Sequence, residues 1–112
     1  MKEKDRTYRM YIDDIIMAIN RIFEYTENYG FVDFKRDYKT VDAVIRNFEI
    51  IGEAVKNIPD GIKEQYPDIP WKEMYLLRNR ISHGYFGIDY EIIWDIIVNH
   101  LPLNKEQILN IK

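Results

Sequence analysis

The stretch that decides the fold is residues 41–58, which read VDAVIRNFEIIGEAVKNI. Its apolar residues recur every three or four positions, and this spacing places them on one face of an α-helix. The set consists of Val41, Val44, Ile45, Phe48, Ile51, Val55 and Ile58, widened by Ala43, Ile50 and Ala54. An apolar arc wider than half the helix circumference predicts that this helix packs on more than one neighbour, and a second subunit is one candidate.

The limits of this helix are predicted by the residues that flank its apolar set. Thr40 is a suitable N-cap, and Asp42 follows in the first turn, where a carboxylate interacts favourably with the helix dipole. The helix is expected to end near Asn57, before Pro59. Gly52 falls inside the apolar arc, and its missing side chain predicts a close approach by another helix.

Two further helices are predicted before and after this one. In residues 8–23 the apolar positions again follow the helical period, and Gly30 is expected to stop that helix. Pro70 suits the first position of a helix with the sequence PWKEMYLLRNRISH, residues 70–83. Gly84 suits the C-terminal end of the same helix.

The last part of the chain predicts one more long helix. Asp89 can cap the segment YEIIWDIIVNHL, Pro102 is expected to break it, and a short helix in residues 104–111 closes the chain. No alternating strand pattern competes with these assignments. The sequence therefore predicts a single all-α domain over residues 1–112, a roughly antiparallel bundle of about five helices with short connections.

Composition limits the class of protein. A chain of 112 residues without cysteine favours one domain and excludes a disulfide framework or a thiolate metal site. The charged N-terminus has no signal-peptide core, and no apolar run is long enough to span a membrane, so we expect a cytoplasmic protein without a membrane partner. The net charge of -3 argues against general nucleic-acid binding, which usually requires a basic surface.

A polar cluster, RNRISHGY, occupies residues 78–85 directly after an apolar run. Arg78 and His83 are five residues apart, so a regular helix separates them by about 140°. Asn79 and His83 share a face, and Arg78 would have to approach from the side or from a second subunit. An arginine and a histidine together suit phosphodiester chemistry without a metal. The alternative is a solvated, cation-rich helix end, which the spacing alone favours because short motifs often match by chance.

The pattern Arg-x4-His-x-Tyr, with asparagine after the arginine, resembles the signature of the HepT-like branch of the HEPN domains (higher eukaryotes and prokaryotes nucleotide-binding). Three stretches in the same order also resemble that branch, and together they cover nearly all of the chain between Tyr8 and Pro102. They are AVIRNFEIIGEAVKNIP, IPWKEMYLLRNRISHGYFGID and IIWDIIVNHLP.

The resemblance implies an all-helical homodimer with the motif in a cleft at the dimer interface. It also implies a metal-independent endoribonuclease that needs no cofactor and is the toxin of a type VII-like toxin–antitoxin pair. Arg78 and His83 map onto the catalytic pair, and Asn79 onto the supporting position. The partner is an MntA-like minimal nucleotidyltransferase, which can attach AMP to the motif tyrosine, here Tyr85.

Two other functions remain open at this stage. One is a non-catalytic subunit that holds nucleotide or substrate for a nucleotidyltransferase. The other is an unrelated structural helical dimer.

Residues outside the motif complete the set of candidates. Because the chain is acidic overall, RNA must be bound by a local basic patch, for which Arg46, Lys72 and Arg80 are the candidates. Arg46 shares a helix face with Glu49 and Glu53. That face is either an ordinary exposed polar surface or the lining of a cleft near Arg78. His100 is interpreted as a capping or surface histidine.

Overall fold

The computed structural model describes residues 7–80 and 87–112, with Arg78 described by its backbone alone. Within these residues the chain is helical, and the predicted all-α bundle is confirmed. The helices are α1 (Tyr8–Tyr25), α2 (Phe31–Arg36), α3 (Tyr38–Lys56), α4 (Asp60–Gln65), α5 (Trp71–Tyr75), α6 (Leu77–Arg80), α7 (Tyr90–Asp95) and α8 (Leu101–Leu109), with a π-helical segment, Ile96–His100, between α7 and α8.

The core lies between the two long helices. α1 packs along α3, α8 packs on α1, and α5 and α6 pack on another side of α3. The central residues of α1 and α3 are fully or almost fully buried: Ile12, Ile15, Ile19 and Ile22, and Val44, Phe48, Ile51 and Val55. Burying each large aliphatic or aromatic side chain contributes roughly 1.5–3 kcal/mol, so this pair of helices supplies much of the stability.

The close approach predicted at Gly52 is present. A Cβ atom added to Gly52 would lie 3.0 Å from the carbonyl oxygen of Tyr75, at the end of α5. Because the neighbouring atom belongs to the backbone, it cannot move aside as a flexible side chain could. Gly52 thus determines how closely α5 and the following residues sit against α3.

The predicted beginning of α3 and end of α1 were wrong. Asp37, not Thr40, caps α3, and its Oδ1 accepts a hydrogen bond of 3.2 Å from the Thr40 backbone N–H. α1 ends at Tyr25, well before Gly30, and the left-handed turn is taken by Asn28 with φ 65°. Gly30 instead precedes α2 and donates its backbone N–H to Asp33 at 2.9 Å.

Asp37 also links the turn before α3 to the turn between α1 and α2. Its Oδ2 accepts hydrogen bonds of 2.7 Å from the Tyr29 hydroxyl and 2.7 Å from the Thr40 hydroxyl. These donors, the Tyr29 hydroxyl first, hold the pKa of Asp37 below its ordinary value, since each bond favours the charged carboxylate. Hydrogen bonds between side chains of neighbouring turns are not visible in helical periodicity.

The helix predicted from Pro70 is interrupted. Pro70 is the N-cap, α5 ends at Tyr75, and the single residue Leu76 separates α5 from α6. Backbone bonds still bridge the interruption, because the Arg80 N–H donates to Leu76 O at 3.1 Å. The stop predicted at Gly84 lies outside the described residues.

The break predicted at Pro102 does not occur. Asp89 caps α7 as expected, accepting from the Ile92 N–H at 3.0 Å. The wide π-helical turn then carries the chain into α8, and the Leu101 N–H donates to Ile96 O, five residues back. Pro102 therefore falls in the first turn of α8, a position at which proline is commonly found. No helix among residues 7–80 and 87–112 is long and apolar enough to cross a membrane.

Candidate active site

The motif begins in α6. The backbone of Arg78 belongs to this helix, and the side chain of Asn79 is exposed on it. His83 and Tyr85 lie outside the described residues, so their predicted roles stay predictions. The part of the site that the structure describes is formed by α6 and by the helices beside it.

A cavity of about 390 Å³ lies beside α6, between α3 and the end of α5. Its lining consists of Arg46, Phe48, Glu49, Gly52, Glu53, Tyr75, Leu76 and Asn79. The polar residues of α3 thus meet the motif asparagine in one cavity, adjacent in sequence to Arg78. Glu49 and Glu53 thus both line this cavity, and their predicted place in a cleft beside the side chain of Arg78 stays a prediction.

Helical spacing explains why α3 contributes three polar residues to the same cavity. Arg46, Glu49 and Glu53 lie at positions i, i+3 and i+7, which share one side of a helix. Gly52 and the ring of Phe48 complete the α3 side, and both residues are buried. The cavity therefore has a rigid apolar base and a polar opening.

The charges at this opening have mixed sign. Arg46 and Glu53 are exposed, whereas Glu49 is half-buried. Within the described part of the chain, neither Arg46 nor Glu53 forms an ion pair. An exposed guanidinium and an exposed carboxylate therefore both lie at the same opening.

The other two residues of the predicted basic patch lie elsewhere. Lys72 is exposed on α5, and neither it nor Arg80 contributes to the cavity lining. Arg80 is half-buried at the end of α6, and its positive charge acts on Asp95 at the end of α7. The structure thus brings Arg46, and not Arg80 or Lys72, to the lining of the cavity.

A carboxylate–histidine pair that joins the end of α7 to the π-helical segment was missed in the sequence. Asp95 accepts hydrogen bonds from the Asn99 amide at 2.6 Å and pairs with His100 Nε2 at 3.1 Å. Asn99 first, then His100 and Arg80, hold the pKa of Asp95 below its ordinary value. Residues five apart are aligned by a π-turn but not by an α-helix, so regular periodicity gave no signal for this pair. His100 is 43% exposed, in agreement with its interpretation as a surface histidine.

Tyr75 is a further residue that was not predicted from the sequence to belong to the site. It ends α5, lines the cavity, and is 47% exposed. An aromatic ring at the mouth of a polar cavity offers a flat surface for a planar ligand. No group of three or more histidine, aspartate or glutamate side chains in residues 7–80 and 87–112 is arranged to hold a metal ion.

Comparison with known proteins identifies the family. The family model described as Ribonuclease HepT-like matches residues 15–111, a span that includes the cavity and the whole motif. A protein of Methanocaldococcus jannaschii provisionally named as an RNase is 45% identical over 108 residues, covering 96% of this chain and 88% of the relative.

Two further relatives are also named as ribonucleases. A protein of Thermococcus cleftensis, provisionally named ribonuclease HepT, is 45% identical over 100 residues, with 89% and 91% of the two chains covered. A provisionally named RNase of Caldanaerobacter subterraneus is 37% identical over 106 residues, with 95% of each chain covered. No solved structure matches this chain. On the family match and these near-complete alignments, the chain belongs to the Ribonuclease HepT-like family.

Proposed function

We propose that this protein is an endoribonuclease that cleaves RNA without a metal ion, using Arg78 and His83. The observation that supports the proposal best is the cavity beside α6, which is lined by Asn79 of the motif and by Arg46, whose guanidinium has no ion-pair partner among residues 7–80 and 87–112. A permanent cation next to the motif suits a phosphodiester substrate. The relatives named as RNases support the same class of reaction.

The proposed reaction is an internal transfer within the RNA strand. The ribose 2′-oxygen attacks the adjacent phosphorus and loses its proton to a general base, while the bond from phosphorus to the 5′-oxygen breaks and that oxygen receives a proton from a general acid. The products are a 2′,3′-cyclic phosphate and a 5′-hydroxyl. His83 acts as base or acid, and Arg78 stabilises the extra negative charge on the phosphorane.

A homodimer is part of this proposal. Two copies of the motif in one cleft would let each subunit supply one half of the acid–base pair, and this relieves the separation of about 140° between Arg78 and His83 on a single helix. Light scattering on the purified protein should give twice the monomer mass of 13.6 kDa. A monomer at micromolar concentration would contradict the shared cleft.

Control of the enzyme is proposed to act at Tyr85. An MntA-like nucleotidyltransferase would attach AMP to its hydroxyl, and the added phosphate would compete with substrate for the nearby arginines. The protein would then be the cytoplasmic toxin of a toxin–antitoxin pair. Mass spectrometry after co-expression should find the adduct on Tyr85 and lose it in Tyr85→Phe. A neutralised complex with unmodified Tyr85 would show that the antitoxin acts by binding alone.

The decisive test of catalysis is His83→Ala beside His100→Ala. The chain contains two histidines, and His100 is 43% exposed and is not among the residues that line the cavity, so it is a matched control. His83→Ala should lower the rate of RNA cleavage roughly 100-fold or more, because removal of a general acid or base typically has an effect of that size. His100→Ala should retain activity. EDTA should leave the cleavage rates of the parent and of His100→Ala unchanged.

Arg78→Ala should resemble His83→Ala in this assay. Circular dichroism should show a native helical spectrum for all three variants. Cleavage by His83→Ala at the parental rate would refute the proposed function, whereas RNA binding without cleavage by the parent would favour a non-catalytic binding subunit.

A further inference from the structure

The cavity beside α6 presents carboxylates where an RNA phosphate would be expected. Glu49 and Glu53 both line it, four residues apart on α3. Glu53 is exposed at the opening, and an exposed carboxylate repels a phosphate. Ionised carboxylates only accept hydrogen bonds. The N–H donors of RNA lie on the edges of its bases, so a base edge suits this part of the cavity better than the backbone does.

The size and walls of the cavity suit one nucleotide. Its volume of about 390 Å³ is near the lower end of the range for small-molecule sites. Tyr75 presents a half-exposed aromatic ring at one side. Single-stranded RNA is commonly bound by stacking its bases on such rings. Because Gly52 has no side chain and Phe48 is buried, the floor of the cavity is apolar and rigid.

We infer that this cavity binds one base of the RNA substrate, stacked on Tyr75, and that Glu53 selects guanine. Guanine is the RNA base with two adjacent N–H donors, at N1 and N2, on its Watson–Crick edge. A carboxylate can accept both bonds with its two oxygens. Adenine and cytosine place a ring-nitrogen acceptor beside their amino group, and uracil flanks its one N–H with two carbonyls, so each would direct a lone pair at Glu53.

Arg46 has a separate role in this inference. It lies at the same opening, without an ion-pair partner among the described residues, and it also lines the adjoining depression between α3 and α1. A guanidinium there can bind the phosphate attached to the selected base. Phosphate contacts position a nucleic acid, whereas base contacts specify its sequence. Arg46 should therefore set affinity for every base, and Glu53 the preference among bases.

The inference rests on the proposed function for RNA as the ligand, but it is tested without cleavage. Binding of the 3′-monophosphates of guanosine, inosine, adenosine, cytidine and uridine to the His83→Ala protein would be measured by calorimetry. Guanosine should bind roughly 10-fold more tightly than adenosine, cytidine or uridine, since a bidentate base contact gives discrimination of about this size. Inosine, which lacks the N2 amino group, should fall between them.

Matched variants in the same background assign the preference to its residues. Glu53→Gln should abolish the guanosine preference, whereas Glu64→Gln, on exposed α4 and outside the cavity, should keep it. Arg46→Ala should weaken all five ligands by a similar factor. Tyr75→Phe should bind as the parent does, and Tyr75→Ala should bind every ligand more weakly.

Equal affinity for the five nucleotides, or a guanosine preference that survives Glu53→Gln, would overturn the inference. Failure of the proposed function would look different. If His83→Ala cleaves RNA as the parent does, the catalytic assignment is lost, while the binding measurements still decide the selectivity of the cavity.

Discussion

The α1–α3 pair and the α5–α6 segment differ in how their sequence relates to their structure. The two long helices have uninterrupted apolar faces, and their central residues are fully buried. The α5–α6 segment consists of helices of five and four residues separated by Leu76. The candidate active site lies where the second region meets the first. The long helices thus supply a rigid support, and the interrupted segment brings polar groups to it.

The largest effect on stability is expected at the centre of the support. Phe48→Ala should lower the free energy of unfolding by about 3–5 kcal/mol, because it removes a fully buried ring and leaves a cavity. Urea unfolding measures the change. Tyr38→Ala, on the same helix but 70% exposed, should change stability by less than about 0.5 kcal/mol. Equal losses in both variants would contradict the assignment of α3 as the core helix.

A smaller effect is expected where the two regions touch. Gly52→Ala places a Cβ atom 3.0 Å from the Tyr75 carbonyl oxygen, so α5 must shift or the backbone must strain. The expected loss is about 1–3 kcal/mol in urea unfolding, as for other overpacked sites. Because Tyr75 also lines the cavity, RNA cleavage should fall in the folded variant as well.

Gly61→Ala is the matched control for this contact. Gly61 lies in α4, and a Cβ atom there would meet nothing within 4 Å. Alanine in an open helical position should be neutral or stabilise by up to about 1 kcal/mol. A Gly52→Ala protein as stable and as active as Gly61→Ala would show that α3 and α5 are not held as closely as this geometry requires.

The smallest effect concerns Asp37, the N-cap that links α3 to the turn between α1 and α2. The folded state lowers the pKa of Asp37 below its ordinary value of 3.8 through bonds from Tyr29 and Thr40. The stability that ionised Asp37 adds to the folded state is therefore fully present above the pKa of the unfolded chain. It is lost as the pH falls through the lower pKa of the folded state. Acid unfolding curves should show this loss in the parent below about pH 4.

Asp37→Asn removes the titrating group while keeping an acceptor for the helix cap. Its stability should fall less steeply than that of the parent over the same acidic range. Asp33→Asn is a suitable control, since Asp33 also accepts a backbone hydrogen bond at a helix start but lies on exposed α2. Parallel acid profiles for the parent and Asp37→Asn would contradict the assigned role.

The long helices could be predicted from the sequence because helical periodicity is a local property. The apolar spacing of residues 41–58 indicated both the helix and its buried face, and the close approach at Gly52 followed from a single missing side chain. The ends of the helices were harder to predict from the sequence. Asp37 displaced Thr40 as the cap because Tyr29, from a preceding turn, also donates to it, and Pro102 was accommodated by a π-turn that periodicity does not describe.

The sequence by itself determined an all-α fold, the buried face of α3 and the family to which the motif points. It also placed Arg46, Glu49 and Glu53 on one face, because their spacing follows from the helix alone. Only the tertiary structure decided that this face lines one cavity with Asn79 and Tyr75, and that Arg80 lies outside the cavity lining. The reason is physical. Helical spacing orders residues within one segment, whereas a cavity depends on how separate segments pack, and here that packing is set by Gly52 and the interruption at Leu76.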